Sequence, residues 1–237
     1  MALPTMDLPT HELEIPSNKK KIKFRPFLVK EEKVLLLALE SDDEKNIRNS
    51  VLNLLKSCIS TRIKLENLAT FDLEYIFLNI RAVSIGEVVE ISVTCQDDEK
   101  TQVKYSLNLT DVQVNFPDGH SNKIMLTDDT GVMMKYPSFD RFVENQFAQK
   151  EINEDTVIEI IAESIDQIFQ GEEVFDSSTT TPKEFVQFVE SLTNAQLEKL
   201  QKFFETSPRL EHKFKVKNPN TDVESDYTIS GLQAFFG

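Results

Sequence analysis

The chain has 237 residues and a formal net charge of −14, with 40% hydrophobic and 28% charged residues. This composition is typical of a globular protein and excludes a chain that is disordered throughout. No apolar run approaches the ~20 residues that a membrane span needs, and the first residues lack the basic and apolar regions of a secretory signal. Two cysteines, Cys58 and Cys95, are too few for a disulfide framework and indicate a reducing compartment.

The first half of the sequence predicts hairpins that alternate with helices. Two short alternating runs around Pro16 predict an N-terminal hairpin, which Pro26 ends. The elements predicted next are a helix over 29–40, a helix that opens with the capping box Ser41-Asp42-Asp43-Glu44, a helix over 71–83 capped by Thr70 and ended by Gly86, a hairpin of 87–94 with 101–109, and a pairing of 112–114 with 124–126 about the Asp118-Gly119 turn.

The second half is predicted to be mainly helical. The elements expected there are helices over 138–149, from Asn153 to Gly171, from the capping box at Thr181 and from Thr193 to Pro208, and a last hairpin of 213–217 with 227–229. Because no β–α–β rhythm occurs, the predicted fold class is α+β, with helical blocks punctuated by β-hairpins. The expected organisation is an N-terminal region over 1–136 and a C-terminal helical region over 137–237, either separate or forming one continuous domain.

The sequence contains no nucleotide-binding, zinc-protease or serine-hydrolase motif. Clustered carboxylates occur at Asp97-Asp98-Glu99 and at Asp128-Asp129, and such groups can hold a cation or act as acid and base. Runs of this kind are more often solvated loop residues. A metal-assisted hydrolase is therefore only a minor alternative, and we predict no enzyme activity, cofactor or metal.

Charge is distributed unevenly along the chain. Residues 1–35 carry a net charge of +2, whereas 151–180 contain nine acidic residues and no lysine or arginine. An acidic surface repels phosphate backbones, so nucleic-acid binding is not expected. Near the N-terminus, a basic cluster alternates with Ile22 and Phe24, which favours a solvated strand face over a docking surface for an acidic protein. The members of this cluster are Lys19, Lys20, Lys21, Lys23 and Arg25.

Three segments have a distinctive order of apolar and charged residues. They are 15–33, with IPS followed by KIKFRPFLVKEEK, 71–87, with FDLEYIFL, IRA and IGE, and 231–236, GLQAFF. In their order and spacing they resemble the small baseplate hub assembly protein family of T-even-type contractile-tailed phages, the product of gene twenty-six. The resemblance extends over most of the chain and is weakest between residues 111 and 180.

The resemblance also concerns the tips of two hairpins. Some relatives have Cys-x-x-Cys on both tips, which is the arrangement of a zinc ribbon. In this sequence Cys95 and Asp98 occupy one pair of positions, and Asn218 and Thr221 occupy the other. With three of the four thiols absent, the resemblance implies two zinc-ribbon-like hairpins that are held by packing, without a complete metal site.

The function that the resemblance implies is non-enzymatic. Such a protein helps to assemble, or forms part of, the central hub of a phage tail baseplate, and its partners are other hub or tail proteins, in the host cytoplasm during assembly or in the virion tail. The alternative is a general intracellular adaptor that uses the same surfaces. The apolar residues at the end of the chain have two interpretations. They form either an exposed anchor for another subunit or a chain end that folds back on its own core. The residues expected to bind partners are Lys19, Lys21, Lys23, Arg25, Leu232, Phe235 and Phe236.

Overall fold

The computed structural model describes residues 7–40, 43–137 and 154–231. Its helices are α1 Val29–Glu40, α2 Glu44–Cys58, α3 Thr70–Ile85, α4 Glu154–Glu163, α5 Pro182–Glu190 and α6 Asn194–Glu205. Its strands are β1 His11–Glu14, β2 Lys21–Phe24, β3 Val88–Thr94, β4 Gln102–Asn108, β5 Gln113–Asn115, β6 Lys123–Met125, β7 Thr130–Met134, β8 Ile165–Gln170, β9 Glu173–Asp176, β10 Arg209–Lys217 and β11 Glu224–Ser230. The protein is therefore α+β, as the sequence predicted.

The strands of the described residues form four small antiparallel sheets. β1 pairs with β2, β3 pairs with β4, and β10 lies between β11 and β5. The fourth sheet has the order β6-β7-β8-β9. The three hairpins predicted from alternating residues, β1–β2, β3–β4 and β10–β11, are all confirmed.

Contacts divide the described chain into two compact units. The first unit contains the residues up to Asn115 and those from Arg209 onward, and the second contains 116–137 and 154–208. The sequence predicted a boundary between residues 136 and 137, which separates two continuous stretches of chain. The two units are defined by contacts and are not continuous in sequence, so that boundary stays a prediction.

The core of the first unit is built around α3. Apolar residues spread around most of this helix in the sequence, and accordingly Leu73, Ile76, Leu78 and Ile80 are fully buried. Cys58, at the end of α2, is also buried, which confirms its predicted place in the core. Burial raises the pKa of the Cys58 thiol to about 11, because the thiolate loses its hydration.

A second, smaller core in the same unit joins two hairpins. Ile91 of β3 and both Phe214 and Val216 of β10 are buried against each other. The ring of Tyr105 on β4 stacks on that of Phe214, with a centroid separation of 4.1 Å. Aromatic pairs of this kind stabilise beyond the area that they bury. The hairpins β3–β4 and β10–β11 therefore form a packed pair, as the resemblance implied.

The core of the second unit lies between its sheet and its three described helices. Val132 and Met134 of β7 and Ile165 of β8 are buried together with apolar side chains of α4, α5 and α6. Both α5 and α6 begin with complete capping boxes, at Thr181 with Glu184 and at Thr193 with Gln196. The sequence predicted both of these helix starts, because a hydroxyl followed by Glu or Gln three residues later satisfies two backbone N–H groups.

In the first unit, the structure differs from the prediction in three details of the helix ends. The N-cap of α2 is Asp43, whose carboxylate accepts from the N–H groups of Lys45 and Asn46, and it replaces the predicted start at Ser41. The N-cap of α3 is Ala69, with no side-chain hydrogen bond, so Thr70 is the first helical residue. Gly86 does end α3, but with φ 150° and ψ 150°, in extended backbone of positive φ that favours glycine.

Two predicted elements are wrong. Residues 112–114 do not pair with 124–126: β5 pairs with β10, through Val114 and Leu210, and β6 pairs with β7. The helix predicted from Asn153 to Gly171 ends at Glu163, and β8 follows it after Ser164. Ile161, Ile165 and Ile168 all face the same core, and their spacing satisfies a helical period as well as it satisfies a helix followed by a strand. The helix predicted over 138–149 lies outside the described residues.

Candidate protein-binding surfaces

The N-terminal hairpin presents its lysines to solvent. Along β2, Lys21 and Lys23 are exposed and the alternate residues Ile22 and Phe24 are buried. The Nζ of Lys23 lies 3.7 Å from a carboxylate oxygen of Glu12, and both side chains remain more than half exposed. Exposed pairs of this kind contribute little stability. The predicted alternation of exposed lysines with buried apolar residues is therefore confirmed for β2, and its lysines are accessible.

Arg25 differs from the lysines because it is largely buried. Its guanidinium donates to both carboxylate oxygens of Glu31, at 2.7 and 2.9 Å, and to the carbonyl of Pro26. Glu31 also accepts from the N–H of Leu28, the residue that precedes α1. The hydrogen bonds from Arg25 lower the pKa of Glu31, because they favour its charged form. Arg25 thus holds the start of α1 in place.

Three hairpins share one tip geometry. In each tip the N–H of the fifth residue donates to the carbonyl of the first at 2.9 Å, and the fifth residue has φ between 55° and 64°. The side chain of the fourth residue accepts from the N–H two positions later. The first residue is buried in every case. The three tips are Ile15–Lys19, Cys95–Glu99 and Asn218–Asp222.

Two of these tips are joined by hydrogen bonds. The Nδ2 of Asn218 donates to both carboxylate oxygens of Asp97 at 3.0 Å, and the hydroxyl of Thr221 donates to the same carboxylate. The hydroxyl of Tyr227 accepts from the N–H of Gln96 and donates to the carbonyl of Thr94. Donation from Thr221 and Asn218 lowers the pKa of Asp97, because both stabilise the carboxylate.

The resemblance places the ligand positions of a zinc ribbon at these two joined tips. Cys95 and Asp98 are the first and fourth residues of one tip, and Asn218 and Thr221 are the first and fourth of the other. The carboxylate of Asp98 accepts from Thr101 and from the N–H of Lys100, so it stabilises its own turn. Amide and hydroxyl groups are poor substitutes for thiolates as zinc ligands. Within the described residues, no three His, Cys, Asp or Glu side chains form a metal site.

The second acidic pair lies in the other unit, where it also stabilises a turn. The carboxylate of Asp129 accepts from the hydroxyls of Thr127 and Thr130, and these hydrogen bonds lower its pKa. Of the carboxylates that the sequence offered for metal-assisted chemistry, Asp98 and Asp129 therefore accept hydrogen bonds within their own turns, and Asp97 accepts them from the tip of the other hairpin.

His120 has surroundings that the sequence did not indicate. Its Nε2 lies 3.0 Å from the hydroxyl of Tyr136, and its Nδ1 lies 3.0 Å from that of Thr206. Its ring stacks on Tyr136, and it also contacts Phe203. Burial lowers the pKa of His120, because the imidazolium would lose hydration. The residue thus connects its own loop to the segment after β7 and to the C-terminal end of α6.

One apolar surface was missed by the sequence reasoning. On α1, Leu35 and Ala38 are buried, but four other apolar side chains are about half exposed or more. The signal was present in the sequence, since VLLLALE has more apolar residues than one buried helical face requires. Grouped exposed apolar side chains are typical of contact surfaces. The four are Val29, Val34, Leu36 and Leu37.

Of the predicted partner-binding residues, Lys19, Lys21, Lys23 and Arg25 belong to the β1–β2 hairpin and the segment that follows it. Lys19 is the last residue of the first tip, 3.9 Å from Glu14. Leu232, Phe235 and Phe236 lie outside the described residues.

Comparison with known families decides the class of protein. A family model described as T4 bacteriophage base plate protein matches residues 8–237 of the chain. The chain belongs to this T4 base plate family. No curated protein and no solved structure gives a significant match. The matched range includes residues of both units of the fold. It also includes all three segments that carried the resemblance.

Membership of the T4 base plate family makes this a bacteriophage tail baseplate protein. In the ranges that the structure describes, none of the helices combines the length and the apolar character required to cross a bilayer. The surfaces described above are therefore those of a base plate family member, and their partners are the subject of the proposals below.

Proposed function

We propose that this base plate protein is a non-enzymatic structural or assembly protein of the central hub, and that it acts by contacts with other hub or tail proteins. The observation that carries the proposal is the family match over residues 8–237. The placement at the hub is supported by the three segments whose order resembles the hub assembly family. We expect the protein in the host cytoplasm during assembly and, if it remains bound, in the virion tail.

The use of the polar side chains supports a non-enzymatic role. The carboxylates of Asp97, Asp98 and Asp129 accept hydrogen bonds from nearby hydroxyl, amide and backbone groups, which stabilise hairpin tips. The pKa of each is lowered, so these groups are poor general bases near neutral pH. By contrast, the lysines of β2 and the apolar side chains of α1 are exposed, where a partner protein can reach them.

Partner contacts are proposed at both ends of the chain. Lys19, Lys21 and Lys23 offer positive charge to an acidic protein surface, and charge complementarity of this kind orients association. Arg25 contributes by fixing the start of α1 beside that hairpin. At the other end, Leu232, Phe235 and Phe236 are proposed as an apolar anchor, because aromatic residues concentrate binding energy. The net charge of the chain makes nucleic acid an unfavourable partner.

Co-purification tests the proposal. The tagged full chain is co-expressed with each hub and tail protein of its own phage, and we expect a stable complex with at least one hub protein. Mass spectrometry of purified virions then distinguishes a resident subunit from an assembly factor that leaves. Stable binding to no hub protein would contradict the proposed function, and so would normal baseplates in phage that lack the gene.

A second experiment addresses the terminal residues. Deletion of residues 232–237 should reduce binding to the hub partner without a change in the folding of the rest. The matched control replaces Phe235 and Phe236 by leucine, which retains apolar character. If the deleted chain binds its partner as tightly as the full chain does, the anchor role is wrong.

A further inference from the structure

A groove with an unusual charge lies beside the first hairpin tip. It has a volume of about 570 Å³ and separates the β1–β2 turn from the segment 61–68. Its rim carries four exposed cations, and none of the ten described residues that line it is acidic. This local positive charge is opposite in sign to the net charge of −14. The four cations are Lys20, Lys21, Arg62 and Lys64.

Backbone hydrogen bonds fix the two walls of the groove relative to each other. The N–H of Ser60 donates to the carbonyl of Lys23 at 2.9 Å, and the N–H of Lys23 donates to the hydroxyl of Thr61 at 2.8 Å. The N–H of Arg25 donates to the carbonyl of Cys58 at 3.0 Å. The chain that carries Arg62 and Lys64 is thus attached along β2, so the groove is formed in advance and a ligand need not order it.

Nearby carboxylates do not cancel the positive rim. Glu14 lies opposite Lys21 in the β1–β2 ladder, and its side chain is 3.9 Å from Lys19, which does not line the groove. Glu66 lies 2.9 Å from the Nζ of Lys56, which is also outside the groove. The rim therefore has four cations, and the two nearby carboxylates pair with lysines outside the groove. An excess of positive charge remains at the rim.

The floor of the groove is apolar. Ile15 and Leu68 are buried there, and Ile63 is partly exposed beside them. A ligand that fills the groove must therefore present negative charge at the rim and an apolar group at the bottom. Clusters of basic side chains recognise acidic protein motifs by this combination of charge and shape.

We propose that this groove binds an acidic segment of a neighbouring baseplate protein, with carboxylates on the rim cations and an apolar side chain against Ile15, Ile63 and Leu68. The inference rests on the proposed function, because it specifies the partner's chemistry. A protein is favoured over nucleic acid because the −14 chain repels an extended phosphate backbone, whereas a short segment enters only the locally positive region. A second copy of the chain is disfavoured by the same overall repulsion.

A defined peptide probe tests the groove directly. A fluorescent, C-terminally amidated peptide of sequence EELFEE should bind the full chain, and its neutral counterpart QQLFQQ should bind at least about tenfold more weakly. The double variant Arg62→Glu/Lys64→Glu should lower the affinity for EELFEE at least about tenfold, because two attractions become repulsions. The control variant Lys100→Glu/Lys183→Glu, with the same change of net charge at two exposed sites outside the groove, should change it less than about twofold.

Further outcomes of the peptide experiment would overturn the inference. These are equal binding of the two peptides, equal affinities in the two double variants, or tighter binding of a single-stranded DNA oligonucleotide at the groove. Wild-type self-association that Arg62→Glu/Lys64→Glu abolishes would assign the groove to a second copy instead. Circular dichroism and the single variant Lys20→Glu, on the opposite wall, establish whether a loss of binding comes from misfolding.

The same variants separate this inference from the proposed function. If the wild type binds a hub protein and Arg62→Glu/Lys64→Glu weakens that complex at least about tenfold, both are supported. If the variant binds the hub protein as tightly as the wild type, the groove is not the contact, although the hub function stands. If the wild type binds no hub protein, the hub function fails, and the peptide affinities alone then decide whether the groove recognises acidic segments.

Discussion

The carboxylate of Asp72 accepts hydrogen bonds from both the N–H and the hydroxyl of Ser17. Asp72 lies in the first turn of α3 and is fully buried, whereas Ser17 lies in the β1–β2 tip. Burial raises the pKa of Asp72, and the hydrogen bonds from Ser17 oppose that rise. The two residues belong to two different segments that carry the family resemblance, so these segments meet in the fold.

Asp72→Ala should lower the free energy of unfolding by about 1–3 kcal/mol, because two donors of Ser17 lose their acceptor. Urea denaturation measures the change. The control is Asp111→Ala, which removes an exposed carboxylate and should cost less than about 0.5 kcal/mol. Equal destabilisation by the two substitutions would show that the contact between Asp72 and Ser17 contributes no more to the free energy of unfolding than an exposed carboxylate does.

Arg25→Lys should destabilise the protein by about 1–3 kcal/mol, although it conserves the charge. Lysine cannot donate to both oxygens of Glu31 and to the carbonyl of Pro26 in the same fixed geometry. Lys23→Ala, on the exposed face of the preceding strand β2, is the control and should be nearly neutral. Thermal denaturation distinguishes them, and an unchanged melting temperature for Arg25→Lys would refute a structural role for Arg25.

Asp97→Ala should accelerate hydrogen exchange in both joined tips. The carboxylate of Asp97 is the acceptor for Asn218 and Thr221 of the other hairpin, so its loss releases both partners. Exchange followed by mass spectrometry resolves the peptides 92–104 and 215–226. The control is Asp129→Ala, whose carboxylate accepts only from Thr127 and Thr130 among the hydrogen bonds described above, and which should accelerate exchange around its own turn. Protection of 215–226 that survives Asp97→Ala would argue against the joined tips.

Removal of metal should leave the protein unaffected. We expect dialysis against EDTA to shift the melting temperature by less than about 1 °C, because hydrogen bonds and packing hold the two hairpins together. Cys95→Ser should fold, and its melting temperature should not respond to added zinc. Elemental analysis that finds one zinc ion per chain, together with a large loss of stability in EDTA, would contradict this prediction.

His120 should make the stability of the second unit depend on pH. Its pKa is lowered in the folded state, so the unfolded chain binds the proton more tightly. Its contribution is therefore complete above the unfolded pKa of about 6.5 and is lost as pH falls through the lowered folded pKa. Between pH 7.5 and pH 5, the melting temperature of the wild type should fall more than that of His120→Gln. Parallel pH profiles for the two proteins would show that His120 does not titrate in this way.

The sequence alone predicted the elements whose signals are local. The capping boxes at Thr181 and Thr193 mark helix starts through contacts within four residues, and the hairpins β1–β2, β3–β4 and β10–β11 alternate on strands that are neighbours in the chain. The same holds for the alternation of Lys21 and Lys23 with buried residues, which depends only on the two-residue period of a strand.

Tertiary structure alone decided the pairings between distant residues. β5 pairs with β10 because Val114 and Leu210 share a core, and no local pattern distinguishes that partner from β6. Likewise, Arg62 and Lys64 join Lys20 and Lys21 around one groove only because the segment after α2 is attached along β2. Local hydrogen bonding and periodicity can be read along a chain, whereas burial depends on which surfaces meet, and that is settled only when the whole chain has folded.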